Sequence, residues 1–274
     1  MAVVKVRLMT THLDKHGERF TKEALECAKR QIDEAIIPQG IEHDPRIEPI
    51  GRILSAEIIQ LGDGEFALEA TNEIFDNYNN LADINDRELV THSYPTDSLE
   101  IRSDRSYKDK SDIDTLNDIS KILNCTTPPQ VEIKKALEPL SVLWIGGAFI
   151  LGGISAGFLN KMGSDAFDLL KSKLSVLFSK RKPSDPEKLL AFDFSIKGKH
   201  CNVELIITNP TNKELDYIFK EGLQFLDKEL PAYFNLHCEK PIKKLVFELD
   251  GIKIKFKFGV RKDGIPVKIK ERKK

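Results

Sequence analysis

The stretch Leu140–Leu159 reads L-S-V-L-W-I-G-G-A-F-I-L-G-G-I-S-A-G-F-L and carries no charged side chain. Twenty uncharged residues match the length a helix needs to cross bilayer hydrocarbon. Ala148, Gly152 and Ala156 recur every fourth residue, as do Gly153 and Gly157. In a helix they form a small-residue face suited to close packing in lipid. Lys161, Lys171, Lys173 and then Lys180, Arg181 and Lys182 follow, the flank that the positive-inside rule places in the cytoplasm. Against a span, five glycines and two serines dilute the apolar character. An amphipathic pattern, S-D-A-F-D-L-L-K-S-K-L-S-V-L-F, continues beyond it. The expectation is a helix, either seated in a membrane or buried and tightly packed within a soluble protein or oligomer.

Outward from that stretch, the chain has 274 residues, enough for one large or two modest domains. Apolar residues make up 41% and charged residues 31%, so a packed core and a well-solvated surface are both expected. The net charge of -1 implies no global polyelectrolyte partner. The charge is uneven: Asp76 to Asp118 is acidic, and Lys240 to Lys274 is basic. Cys27, Cys125, Cys201 and Cys238 are far apart and form no CxxC pair, which fits buried reduced thiols better than a zinc site or a disulfide scaffold. The dipeptides His200–Cys201 and His237–Cys238 are potential ligands, but alternation along a strand sends neighbours to opposite faces. The N-terminus lacks an apolar core of signal-peptide length. The expected location is cytoplasmic, or at an inner membrane with cytoplasmic domains.

Ala2 to Met9 reads as a Val-rich strand. Thr21 caps a helix whose Ala24, Leu25, Ala28 and Ile32 share one face, with Pro38 and Gly40 expected to stop it. Two strands follow, R-I-L-S-A-E-I-I-Q-L and E-F-A-L-E-A-T, joined by the tight turn Gly62-Asp63-Gly64. Short strands are expected at Glu88–Thr91 and Ser98–Arg102, then a helix over Ile113–Leu123, with a domain boundary near Thr126–Pro129. Beyond the linker K-R-K-P-S-D-P-E, Leu190–Ile196 and Cys201–Thr208 form a hairpin over Gly198. Thr211 and Glu214 make a capping box. The helix they open buries Leu215, Ile218, Phe219, Leu226, Leu230 and Tyr233. Leu245, Phe247 and Leu249, then Ile252, Ile254, Phe256, Phe258 and Val260, alternate around Asp250-Gly251. The order β-β-α-β-β fits a sheet covered by one helix. Lys253, Lys255 and Lys257 line its other face, a solvated surface or a patch for an anionic surface.

No phosphate-binding loop, dinucleotide fingerprint, HExxH or GxSxG occurs, and no cofactor is expected. The order L-D-K-H-G-E-R-F-T-K-E-A-L, then I-E-H-D-P-R-I-E-P-I-G-R-I-L-S-A-E, then D-G-E-F-A-L-E-A resembles the phage prohead (capsid maturation) serine protease family over roughly Val4 to Phe75. The resemblance implies a bacterial or phage-related source. It also implies that His43 is the general base for a serine hydroxyl. The family's nucleophile, in an S-x-G-F-like setting, would lie downstream. Ser93 and Ser98 stand at plausible distances without the glycine and phenylalanine. Ser155-Ala156-Gly157-Phe158 has the letters but lies in the uncharged stretch.

The expected fold class is α+β in three parts: a prohead-protease-like domain over 1–120, a glycine-rich helical segment over 130–182 and a basic module over 188–274. Three functional readings stand. One is a protease-like domain repurposed to recognise a peptide or protein partner, joined to a membrane-seated or oligomerising helix and expected to be a homo-oligomer. The second is an active serine endopeptidase using His43. The third is a membrane-disrupting effector acting through the glycine-rich helix.

Overall fold

The computed structural model describes residues 2–13, 19–41, 44–75, 81, 86–94, 98–132, 140–162, 166–179, 187–234 and 240–268. The chain is mixed α+β, with two sheets, and divides into two compact units. One is Met1–Val90 with Val260–Val267; the other is Thr91–Gly259 with Lys268–Lys274. The boundary expected near Thr126 thus falls inside the second unit. So does the expected start of a separate module at 188.

The first unit contains β1 (Ala2–Thr10), α1 (Lys22–Glu34), β2 (Ala35–Gln39), β3 (Gly51–Gln60), β4 (Phe66–Ile74) and β5 (Glu88–Leu89). They form a sheet in the order β1-β4-β3-β2-β5. The β3–β4 hairpin turns where Gly62-Asp63-Gly64 was expected to turn it. Gly64 has φ +88°, a conformation costly for any residue with a Cβ. The Asp63 carboxylate accepts the Glu65 amide at 3.2 Å and meets His12 Nε2 at 2.7 Å. Thr21 caps α1 by accepting the Ala24 amide at 3.2 Å. Leu25 and Ile32 of α1 pack on Ile53, Ala56, Leu68 and Ala70. The helix ends before Pro38, because Ala35-Ile36-Ile37 becomes strand β2. Ile37, directly before Pro38, is biased away from helical backbone, and β-branching at Ile36 and Ile37 lowers helix propensity further.

A buried ion pair ties this unit's returning segment to its sheet. Arg52 meets Glu73 at 2.8 Å and donates to the Asp263 carbonyl at 2.7 Å. Both side chains are sequestered from water, so removing one strands the other charge at a cost of about 3–5 kcal/mol.

The second unit runs β6 (Leu99–Asp104), α2 (Lys110–Ile122), β7 (Gln130–Glu132), β8 (Leu140–Phe149), α3 (Ile154–Met162), α4 (Ala166–Ser179), β9 (Glu187–Ile196), β10 (Cys201–Thr208), α5 (Asn212–Tyr217), α6 (Leu223–Phe234), β11 (Ile242–Asp250) and β12 (Lys253–Arg261), whose last two residues belong with β13 (Pro266–Val267) to the first unit. Strand order is β13-β12-β11-β10-β9-β8-β6-β7. The pairs β6–β7, β8–β9 and β10–β11 are parallel, each bridged by helix, while β6–β8 and β9–β10 are antiparallel. The expected capping box is present, with Thr211 and Glu214 exchanging side-chain to backbone bonds.

The uncharged stretch is not a helix. Leu140–Phe149 is strand β8, buried at all ten positions, and the helix begins only at Ile154. A strand covered on both faces reads as a continuous apolar run, which periodicity cannot separate from a buried helix. Gly152, at φ +79°, turns the chain between the two elements. No helix among the described residues is long and apolar enough to cross a membrane. The small-residue spacing has another cause. A Cβ on Gly157 would sit 2.8 Å from the Phe149 ring, so α3 needs glycine there to fold back on β8.

Leu143, Ile145 and Phe149 of β8 join Phe192 and Phe194 of β9, Val203 and Leu205 of β10, and Leu245 and Phe247 of β11 in one core. Phe158, Leu170, Leu174, Leu215, Phe219 and Leu226 close it from the helices. Asp227 of α6 caps α3, its carboxylate accepting the Ile154 and Ser155 amides at 2.8 Å each.

Candidate functional site

Two places in the chain carry more than packing. The first is the sheet face of the second unit opposite the helical core. Alternation sends Leu143 and Ile145 to the helices and therefore sends Trp144 and Gly146 the other way. The register then places Glu100, Gly146, Asp193 and Glu204 in one line across four strands. Arg102 lies opposite Trp144, and Asn202 is beside Lys244.

These side chains form a connected network. Tyr94 Oη donates to Asp193 Oδ2 at 2.6 Å. Arg102 Nη2 donates to Tyr94 Oη at 2.8 Å and to Asp193 Oδ2 at 3.1 Å. Asn202 Nδ2 donates to Asp193 Oδ1 at 3.0 Å and to the His92 carbonyl at 3.1 Å. Trp144 Nε1 donates to Glu204 Oε1 at 3.2 Å, and the Lys244 ammonium meets Glu204 Oε2 at 2.5 Å. The Tyr94 ring lies where a Gly146 Cβ would project, 2.2 Å from its Cζ. Glycine at 146 is what lets the ring reach Asp193.

Burial raises the Asp193 carboxyl above its ordinary range, and neighbouring Glu204 adds to the shift. Burial also raises the Tyr94 hydroxyl, with Asp193 adding to it. Burial opposes the charge on Lys244, but Glu204 outweighs it and the ammonium is held above its usual range. Both Asp193 carboxylate oxygens accept hydrogen bonds, and Glu204 Oε1 accepts from Trp144 while its Oε2 has the Lys244 ion pair; buried Asn202 Oδ1 has no hydrogen-bond partner among the described residues. The bonds from Asn202 to the His92 carbonyl and from Tyr94 to Asp193 tie the Thr91–Tyr94 segment to the sheet.

The second place is β1. It ends its sheet, pairing with β4 and with no other strand among the described residues. Ala2 to Leu8 are exposed. Val6 stands opposite Ala70 and Val4 opposite Asn72, on the side of the sheet where Ala70 and Leu68 pack beneath α1. Yet Val4 is 41% and Val6 37% exposed. Lys5 and Arg7 project from the reverse side. Lys5 reaches Glu57 at 2.8 Å and Arg7 reaches Glu69 at 3.3 Å, both as surface pairs. A register shift between Arg7 and Met9 bulges the strand at Leu8.

His43 lies outside the described residues, as do His16, Gly17, His237 and Cys238. Ser93 and Ser98 belong to the second unit. Ser93 is exposed and has no side-chain bond among the described residues, while buried Ser98 shares a hydrogen bond with Thr126 at 3.0 Å. Ser155 is buried in the first turn of α3. Lys255 and Lys257 pair with Asp250 at 2.6 Å and Glu248 at 2.8 Å, so the basic stripe on β12 is partly neutralised by β11. His200 occupies the β9–β10 turn, whereas the Cys201 thiol is in the core, where burial pushes it up to about 12. No cluster of His, Cys, Asp and Glu suited to a metal occurs among the described residues.

The network on the large sheet escaped the sequence reading. A-F-D-F-S-I and C-N-V-E-L-I-I look like strands with one polar, solvated face. The polar members are in fact buried, and only register across four strands brings them to one another.

No known protein family, curated protein or solved structure matches the chain.

Proposed function

We propose that this chain is a recognition protein whose first unit, a prohead-protease-like fold kept as a scaffold, binds an extended segment of a partner along β1. The observation that carries this reading is an edge strand of nine residues, Val-rich, with Ala2 to Leu8 exposed on both faces. Such an edge presents a row of backbone N–H and C=O groups ready to pair with an incoming strand. Strand addition uses those groups for affinity and alternate side chains for selectivity. At about 3.3 Å per residue, β1 offers roughly 30 Å of template.

Catalysis by His43 with Ser93 or Ser98 has no comparable support. Ser98 is buried and already hydrogen-bonded, and Ser93 follows the His92–Glu100 contact without joining it. Membrane disruption through Leu140–Leu159 is not proposed, because the apolar half of that stretch is an interior strand.

Selection from a random decapeptide library tests the reading. Binders enriched on the wild-type chain should lose about tenfold or more in affinity on Val4→Asp and Val6→Asp variants. Binders indifferent to both changes would contradict it. A fluorophosphonate label that appears on wild type and vanishes in His43→Ala would favour the endopeptidase reading instead.

A further inference from the structure

Resting on the strand-addition reading, we infer that the partner of β1 is an extended segment in which acidic side chains alternate with aliphatic ones. Both halves of the pattern are set by the two faces of β1. On one face Val4 and Val6 extend the apolar surface of Leu68 and Ala70 outward to the edge. An aliphatic residue of an incoming strand, placed opposite either valine, continues that surface at a Cβ separation of about 4.5–5.5 Å.

On the other face the charge is graded across the sheet. Glu57 is on β3 and Glu69 on β4, while the outermost row, on β1, is Lys5 and Arg7. The rim is therefore cationic. Both existing pairs are exposed, and exposed pairs hold their partners weakly. Each cation can take a second carboxylate from the open side without giving up a strong bond. Opposite charges directly across a strand pair favour the match.

The same residues argue against a second copy of this chain as the occupant. A two-fold antiparallel pairing centred on Val6 sets Lys5 and Arg7 of one copy against Arg7 and Lys5 of the other. Centring it on Lys5 or Arg7 sets each cation against itself. Like charges directly opposite are destabilising. The bulge at Leu8 further breaks the regular ladder that self-pairing needs. Edge lysines and bulges are the devices by which sheets avoid their own copies. Here the cations disfavour the self-pairings centred on Lys5, Val6 and Arg7 and favour an acidic strand.

The test uses the full chain and three soluble decapeptides in which valine alternates with glutamate, lysine or serine, read by fluorescence anisotropy. The glutamate peptide is expected to bind about tenfold more tightly than the serine peptide, and the lysine peptide more weakly than either. In Lys5→Glu/Arg7→Glu the order of the glutamate and lysine peptides should reverse. Raising salt from about 50 mM to about 500 mM should shrink the wild-type preference, a check that needs no variant. Equal affinity for all three peptides, unchanged by salt, overturns the acidic partner while leaving strand addition in place. Binding of none of them overturns strand addition itself. A dimer in light scattering that Lys5→Glu/Arg7→Glu dissociates also overturns the inference, because the occupant is then a second copy.

Discussion

Asp193 shows how single residues in this chain are tuned by where the sheet puts them. Its carboxyl is raised by burial and by Glu204, so the folded state holds that proton more tightly than the unfolded state does. The sign of the linkage follows. The contribution is fully present below the ordinary carboxylate range and is lost as pH rises through the folded value. Urea midpoints for wild type and Asp193→Asn, measured from pH 4 upward, should show the wild-type advantage shrinking with rising pH. An advantage that grows with pH would mean that Arg102 and Tyr94 hold the anion more strongly than burial opposes it. None of this was visible in the sequence. Asp193, Asn202 and Glu204 occupy alternate positions that read as a wet face, and which strand lies next to which is not a local property.

At the scale of the element, β8 is the instructive case. In length and lack of charge, Leu140–Leu159 matches a membrane-crossing helix. The structure makes it a strand, a turn and the start of α3. The signals for a strand were present: Val142 and Ile145 are β-branched, Trp144 and Phe149 are aromatic, and two adjacent glycines are poor helix formers. They were outweighed by composition, which cannot distinguish hydrocarbon from a protein core. Local patterns with turn or cap chemistry were legible by contrast, as in the β3–β4 hairpin, the Thr211–Glu214 box and the strand–helix–strand order after Leu189. Gly146 within β8 gives a direct check. Gly146→Ala should cost about 1–3 kcal/mol, because the methyl and the Tyr94 ring cannot share the space. In a Tyr94→Ala background the same change should cost little, and an undiminished cost would show that glycine is needed for another reason.

At the scale of the whole molecule, the chain divides differently from its sequence punctuation. Thr126–Pro129 is a genuine break between α2 and β7, yet both lie in the second unit. Val260–Val267 leaves the second unit and returns to the first, where Asp263 accepts from Arg52. No composition shift marks that return. The proposed function nevertheless belongs to one element of one unit, the edge strand β1, and the large sheet's polar network serves to hold its own unit together. Hydrogen exchange resolved to single amides over Ala2–Thr10, on the free chain, tests this most directly. An open edge requires alternation: amides bonded to β4 exchange slowly, and those directed away from it exchange at rates near those of an unstructured chain. Uniform protection along β1 would mean that the edge is already covered, and it would contradict strand addition as the function of this protein.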